Sequence, residues 1–372
     1  MTEFHCPTRI VYGPGAFGRL GEVARGLGAA RALVVSDPGV AQLGLPGRAV
    51  SLLRAAGVDT VLFHDFAENP TAEMAARGAR AAAESRIDLL VGLGGGSSMD
   101  CAKAINFLHT NGGTMADYWG YGKASRPMLP MIAIPTTAGT GSEVQSYALI
   151  SDDTTHRKMA CGDSKAFFHT AILDPLLTVS QPRPLTAAAG YDAIGHAVET
   201  YVTTRRTPAS QFFSLEAWRR LELNFARVVA DPTDLEARAG MLAGAALAGV
   251  AIEASMLGAT HALANPLTEA YGTTHGVAIA VLLHHVVRWN SAEVPSLYAE
   301  LSEASCGPGL PVADRLQRLL EASGLPCRLG LLGIPESDLP GLARRSMEQW
   351  TGKFNPRPLT EETALALYQR AF

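Results

Sequence analysis

Short apolar runs alternate with stretches of helical spacing through the first half of the chain. Residues 32–35, 60–63, 88–93 and 128–134 are strand-like, and residues 47–56, 71–85 and 98–109 carry helical spacing between them. Parallel strands need long crossovers, so this alternation predicts an α/β region with a parallel sheet covered on both faces. A hairpin-like section over 146–161 and a short run over 171–175 follow. Around Pro182 and Pro184 the pattern changes. Helical periodicity then dominates over 185–202, 210–230, 235–251, 276–288, 312–323 and 360–371, with almost no strand runs. The expected organisation is an α/β domain over 1–180 and an all-α domain over 181–372.

Composition supports two domains and excludes several classes. The 372 residues correspond to about two domains at ~150 residues each. A 47% hydrophobic content is too high for a disordered chain. With 31 Lys and Arg against 35 Asp and Glu the net charge is −4, which argues against a nucleic-acid partner. The first 18 residues contain no apolar core of signal-peptide length. Residues 239–268 hold a single formal charge, Glu253, but polar residues interrupt them, so a buried core helix followed by a polar turn is expected instead of a membrane span. The five cysteines (Cys6, Cys101, Cys161, Cys306, Cys327) form no CxxC pair, so no disulfide framework or cysteine zinc site is expected, and a cytoplasmic location fits.

The third strand runs into Gly94-Gly95-Gly96-Ser97-Ser98-Met99-Asp100. Glycines let a phosphate approach the backbone, and the free N–H groups of a following helix stabilise it. Ser97 or Ser98 could cap that helix. The segment also reads as an ordinary tight turn. It does not fit G-x-G-x-x-G, because Ser97 stands where the last glycine belongs. Asp37, at the end of the first strand, suits either a ribose contact or a helix cap ahead of Pro38-Gly39. A second loop, Pro135 to Glu143, is dense in hydroxyls and suits either a cofactor-lining segment or a flexible surface loop.

Asp192 and His196 are spaced i, i+4 and share one helix face. His261 and His275 sit in similarly apolar, small-residue settings. One carboxylate with three imidazoles is a metal-ligand set, yet each histidine alone also reads as a satisfied core residue, and spacing does not decide between the two.

Together these segments resemble the iron-containing (group III) alcohol dehydrogenases, from Tyr12-Gly13-Pro14-Gly15 to Asn355-Pro356-Arg357-Pro358. The resemblance rests on Gly94 to Ser97 with Asp100 and Lys103, on Pro135 to Glu143, and on the Asp192/His196/His261/His275 set. It implies a dinucleotide-binding α/β domain with a non-standard Rossmann-like sheet and an all-helical domain of dehydroquinate synthase-like architecture, with the active site in a cleft between them. It implies that Asp192, His196, His261 and His275 bind one divalent metal, Fe(II) or Zn(II), which polarises the substrate oxygen during hydride transfer. It further implies that Gly95, Gly96 and Ser97 bind a pyrophosphate, that Thr136, Thr137, Thr140, Asn69 and Lys158 lie near the cofactor, and that Asp100 works on the nicotinamide side, unless it caps the helix start. Asp37 matches the position whose carboxylate favours NAD over NADP. A small alcohol, aldehyde or ketone is the implied substrate, and a homodimer or higher homo-oligomer the implied assembly.

The sequence departs from the family pattern at three places. Asn265 stands where many members have a further histidine, four residues after His261. Phe168 and His284 stand where proline is common. His284 and His285 are expected to be structural, since adjacent helical residues diverge by ~100°. Phe168, Asn265 and Tyr271 are expected to shape the substrate pocket. Two competing readings use the same scaffold. One is a zinc-dependent lyase or glycerol dehydrogenase, which needs a different ligand set. The other is a non-catalytic nucleotide-binding protein, which needs a broken one.

Overall fold

The computed structural model describes residues 4–155, 157–305 and 309–372. Two compact units are present. One comprises Cys6–Thr137 and Ser142–Ser180, and the other Gln181–Phe372 with Ala138–Gly141, Phe4 and His5.

The first unit contains β1 (Arg9–Tyr12), β2 (Arg31–Val35), β3 (Asp59–Phe63), β4 (Leu89–Gly94), β5 (Gly120–Tyr121), β6 (Met131–Pro135), β7 (Tyr147–Ser151), β8 (Lys158–Gly162) and β9 (Thr170–Leu173). Six form a parallel sheet in the order β1-β9-β6-β4-β2-β3. Strands β4 and β6 are buried along their whole length, which explains their unbroken apolar sequences. Helices α1 (Leu20–Gly26), α2 (Pro38–Gln42), α3 (Leu45–Ala55), α4 (Ala72–Ser85) and α5 (Gly96–Asn111) lie between the strands in sequence. Phe17, Leu20, Val34, Leu53, Val91 and Ile132 belong to one buried cluster of this core. From β2 the chain passes to β3 on one side and then returns to place β4 on the other. This reversal puts the carboxyl ends of β2 and β4 side by side, the position where open α/β sheets receive ligands. The expected hairpin is the antiparallel pair β7–β8, joined by β5 in a small second sheet. Strand β1 was not anticipated, since Arg9–Tyr12 is a short edge strand with three of its four residues exposed.

The second unit is helical: α6 (Arg183–Val202), α7 (Pro208–Ala230), α8 (Leu235–Glu253), α9 (Ala259–Tyr271), α10 (His275–Asn290), α11 (Pro295–Glu303), α12 (Val312–Ser323), α13 (Leu339–Ser346) and α14 (Glu361–Ala371). Helix α8 has the length and hydropathy of a membrane span, and most of it is buried inside the fold. Its apolar character serves helix packing. A Cβ on Gly244 would lie 2.7 Å from the Leu221 side chain of α7, and one on Gly190 of α6 would lie 2.8 Å from Met241 of α8. The polar turn expected after this stretch is instead mostly helix α9, which contains Pro266. Its packing overrides that proline, because Ala262, Leu263, Ala264 and Leu267 are fully buried. Cys101, Cys161 and Cys327 form no disulfide, and Cys306 lies outside the described residues.

Candidate metal centre and glycine loop

Three helices of the second unit supply the ionisable cluster. Helix α6 carries Asp192 and His196 in its interior, His261 is the third residue of α9, and His275 is the first residue of α10. Small residues set the spacing between α6 and α10. A Cβ on Gly276 would fall 2.0 Å from the Ala188 carbonyl oxygen, and one on Gly195 would fall 2.8 Å from Ile279. The Nε2 atoms of His196, His261 and His275 lie 3.4, 3.5 and 3.7 Å from the same oxygen, Asp192 Oδ1. Ligand atoms of Asp192, His261 and His275 all lie within 4.8 Å of one another. His196 stands outside that trio, with its ring stacked on His261 at 4.9 Å.

Asp192, His196 and His261 are buried and His275 is half-buried. Burial would raise the Asp192 carboxyl, but the histidines around it hold it well below the usual carboxylate range. Burial pushes His196 down against the pull of Asp192. Burial would also lower His261, but the charge of Asp192 and the hydrogen-bonded carboxylate of Glu199 outweigh it and raise His261 to about 9. Asp192 Oδ1, His196 Nδ1 and His261 Nε2 are buried without a hydrogen-bond partner. Such atoms are costly unless a ligand satisfies them. A divalent cation that accepts carboxylate and imidazole lone pairs fits this donor set.

Glu199 escaped the sequence reading. It lies on α6 seven residues after Asp192, and its Oε2 is 2.6 Å from His261 Nδ1. The i, i+4, i+7 spacing of Asp192, His196 and Glu199 was the available signal. Asn265 donates to Gln349 Oε1 at 2.9 Å, and Tyr271 donates to Asp338 at 2.6 Å. Phe168 is fully buried in the first unit, 3.4 Å from where a Gly92 Cβ would stand. His284 and His285 do not diverge as adjacent helical residues were expected to; their ring centroids are 3.9 Å apart. Burial lowers them to about 4 and about 3, and neither belongs to the Asp192 trio.

In the first unit, β4 ends at Gly94 with φ +148°, and a Cβ there would meet Ser98 Oγ at 2.2 Å and Asp37 Oδ2 at 2.8 Å. Helix α5 begins at Gly96 with Gly95 as its N-cap and no side-chain cap. The expected serine cap is therefore absent. Ser97 Oγ instead accepts from the amide of Asn69, which is exposed with φ 55°. Ser98 Oγ donates to Asp37 Oδ2 at 3.1 Å. Asp37 also caps α2, accepting from the Val40 amide at 3.0 Å. An uncapped helix start flanked by glycines is suited to an anion.

Asp100 is not a cap either. It is buried inside α5, accepts from Ser142 Oγ at 2.7 Å and lies 4.0 Å from Lys103 Nζ. Burial raises its carboxyl, with Lys103, Ser142 and Lys158, the first residue of β8, opposing. Fully buried Lys103 donates to Ser142 O, Ser142 Oγ and Tyr147 O, which pins the end of the second loop. Thr136 donates its amide to Gly94 O at 2.9 Å, and Thr137 lies 3.4 Å from where a Gly95 Cβ would stand. In the helical unit, a Cβ on Gly139 would meet Ala189 at 3.0 Å. Thr140 is exposed while Ala138, Gly139 and Gly141 are buried, so this is not a flexible surface loop.

Comparison with known proteins points one way. The family model for iron-containing alcohol dehydrogenases matches residues 7–175, and that for the Fe-containing alcohol dehydrogenase family C-terminal region matches 186–372. The chain is 33% identical to an NAD-dependent methanol dehydrogenase of Bacillus methanolicus, covering all of both chains. It is 33% identical to a 1,3-propanediol dehydrogenase of Citrobacter freundii, covering all of this chain and 99% of that one. The crystal structure of a 1,3-propanediol oxidoreductase superposes with a TM-score of 0.95 at 32% identity, with full coverage of both chains.

Proposed function

The chain belongs to the iron-containing alcohol dehydrogenase family, and from that premise we propose that it moves a hydride between NAD(H) and a small alcohol or the matching aldehyde or ketone, with Asp192, His196, His261 and His275 holding Fe(II) or Zn(II). The observation that carries this reading is the convergence of three imidazoles on one buried, unpartnered carboxylate oxygen. When bound, the metal supplies Lewis acidity to the substrate oxygen and the nicotinamide supplies the hydride acceptor.

The chain's own residues do the rest. Asp192 brings the single negative charge of the ligand set, and burial keeps competing water dipoles away from it. Gly95 and Gly96 leave the first amides of α5 open to a pyrophosphate, with Ser97 beside them. Asn69, Asp100, Thr136, Thr137, Thr140 and Lys158 are the remaining cofactor contacts in this reading. Asp37 repels a 2′-phosphate, which favours NAD. Asn265 does not titrate near neutral pH, so the alcohol proton leaves by solvent or a cofactor hydroxyl.

The test is metal analysis of purified protein together with NAD reduction across a panel of alcohols. Bound iron or zinc and turnover of short alcohols or diols are expected. Protein that takes up no metal and stays inert after anaerobic Fe(II) reconstitution would refute the reading.

A further inference from the structure

We propose that Glu199 is a positioning residue that sets both the place and the tautomer of His261, so that Nε2 offers its lone pair to the metal; this rests on the metal reading above. Helix α9 starts with Gly258 as its N-cap and no capping side chain of its own. Glu199, reaching across from α6, does that work. Its Oε2 accepts from the Gly258 amide at 3.0 Å and its Oε1 from the Thr260 amide at 2.6 Å. Asn355 Oδ1 takes the amide between them, Ala259, at 3.2 Å. The first turn of α9 is therefore held by side chains from elsewhere in the unit, and His261 leaves that turn.

The same carboxylate decides the ring. Both backbone partners can only donate, so both Glu199 oxygens serve as acceptors towards α9. His261 Nδ1, 2.6 Å from Oε2, must then carry a hydrogen. In the neutral imidazole the lone pair is left on Nε2, the atom 3.5 Å from Asp192 Oδ1 that has no hydrogen-bond partner. A carboxylate behind a ligating histidine orients the ring and makes it a better donor.

Glu199→Gln is isosteric but inverts this logic. Its NH2 must face a backbone N–H in either orientation, and in place of Oε2 it also faces Nδ1 and drives the hydrogen to Nε2. Zn(II) affinity of the full chain, read by chelator competition, is expected to fall ten- to hundredfold in Glu199→Gln. Glu199→Asp, which keeps the charge, is expected to bind more tightly than Glu199→Gln. In 15N-histidine spectra of the Zn(II)-loaded wild type, His261 should be metal-bound through Nε2 with Nδ1 protonated. Unchanged affinity in Glu199→Gln, or the reverse order of the two variants, overturns the proposal. So does a wild-type spectrum with metal on Nδ1, and that reading stands even if a variant fails to fold. A wild type that takes up neither Zn(II) nor Fe(II) sinks the metal reading and this proposal with it. Uptake by the wild type with unaltered affinity in Glu199→Gln sinks this proposal alone.

Discussion

The glycine loop of the first unit and the histidine cluster of the second use opposite materials. Around Gly94 to Ser98 the polar groups are backbone amides and hydroxyls, and the carboxylate beside them, Asp37, is already engaged by Val40 and Ser98. Around Asp192 the polar groups are ionisable side chains, and three of their atoms are left unpartnered in a buried setting. Uncapped amides at a helix start can face water or an anion at little cost. Buried, unpartnered polar atoms such as Asp192 Oδ1 and His261 Nε2 are costly without a cation. The first region can therefore stand open at little cost, whereas a cation would stabilise the second.

That contrast predicts where a single side chain matters most. Asp192→Asn keeps the shape and removes the only negative charge of the set. Loss of bound metal is expected, with a fall in kcat/KM on the order of 10³-fold or more. Metal content and turnover measured together check it. Retained metal with near wild-type turnover would show that the cluster is an ordinary buried network.

One buried group in each unit should also respond to pH in opposite directions. In the first, burial pushes Glu143 up to about 7 from an ordinary 4.5. Its contribution is full below pH 4.5 and is lost as pH rises through 7, roughly 3 kcal/mol at ~1.4 kcal/mol per pKa unit. In the second, burial holds His284 down to about 4 from 6.5. Its contribution is full above pH 6.5 and is lost as pH falls towards 4, again roughly 3 kcal/mol. Denaturant titrations between pH 4 and 7 should show Glu143→Gln removing a loss of stability on raising the pH and His284→Leu removing a loss on lowering it. Identical pH slopes in both variants and the wild type would contradict the opposition.

What could be read beforehand follows the same division. The parallel sheet was legible because buried strands such as β4 and β6 are apolar throughout, and the long helices because their periodicity is strong. Helix α9 was not, because Pro266 argues locally against a helix that only tertiary burial sustains. The serine cap was misread because Ser98 has a better partner in Asp37, brought alongside by the β2–β4 pairing. Glu199 was missed because its partners, Gly258, Thr260 and His261, lie about sixty residues away in the chain. Local rules reach caps and periods; they do not reach a carboxylate that caps a different helix.

A smaller effect tests the backbone side of the comparison. Gly94→Ala would place a methyl 2.2 Å from Ser98 Oγ at a φ of +148°, which L side chains rarely adopt. A cost of about 1–3 kcal/mol is expected, seen as weaker NAD binding by calorimetry with the metal content unchanged. Loss of metal instead would mean that the loop and the cluster are not separable.

The finest test concerns the charge that Asp37 brings to the glycine loop. Asp37 has two roles that a single substitution can part. Asparagine caps a helix about as well as aspartate, so Asp37→Asn keeps the Val40 contact through its oxygen. Its NH2 then faces Ser98 Oγ, which can turn to accept. Stability should change by less than ~1 kcal/mol, while the charge that repels a 2′-phosphate is gone. A repulsion of about 1–2 kcal/mol in this half-buried setting corresponds to roughly a tenfold shift in the ratio of NADP to NAD efficiency. Asp37→Gly removes charge and cap together, so it should match that shift and add a fall in melting temperature. If Asp37→Asn leaves the ratio untouched while Asp37→Gly only destabilises, the carboxylate is a helix cap and nothing more, and the glycine loop selects its ligand by backbone alone.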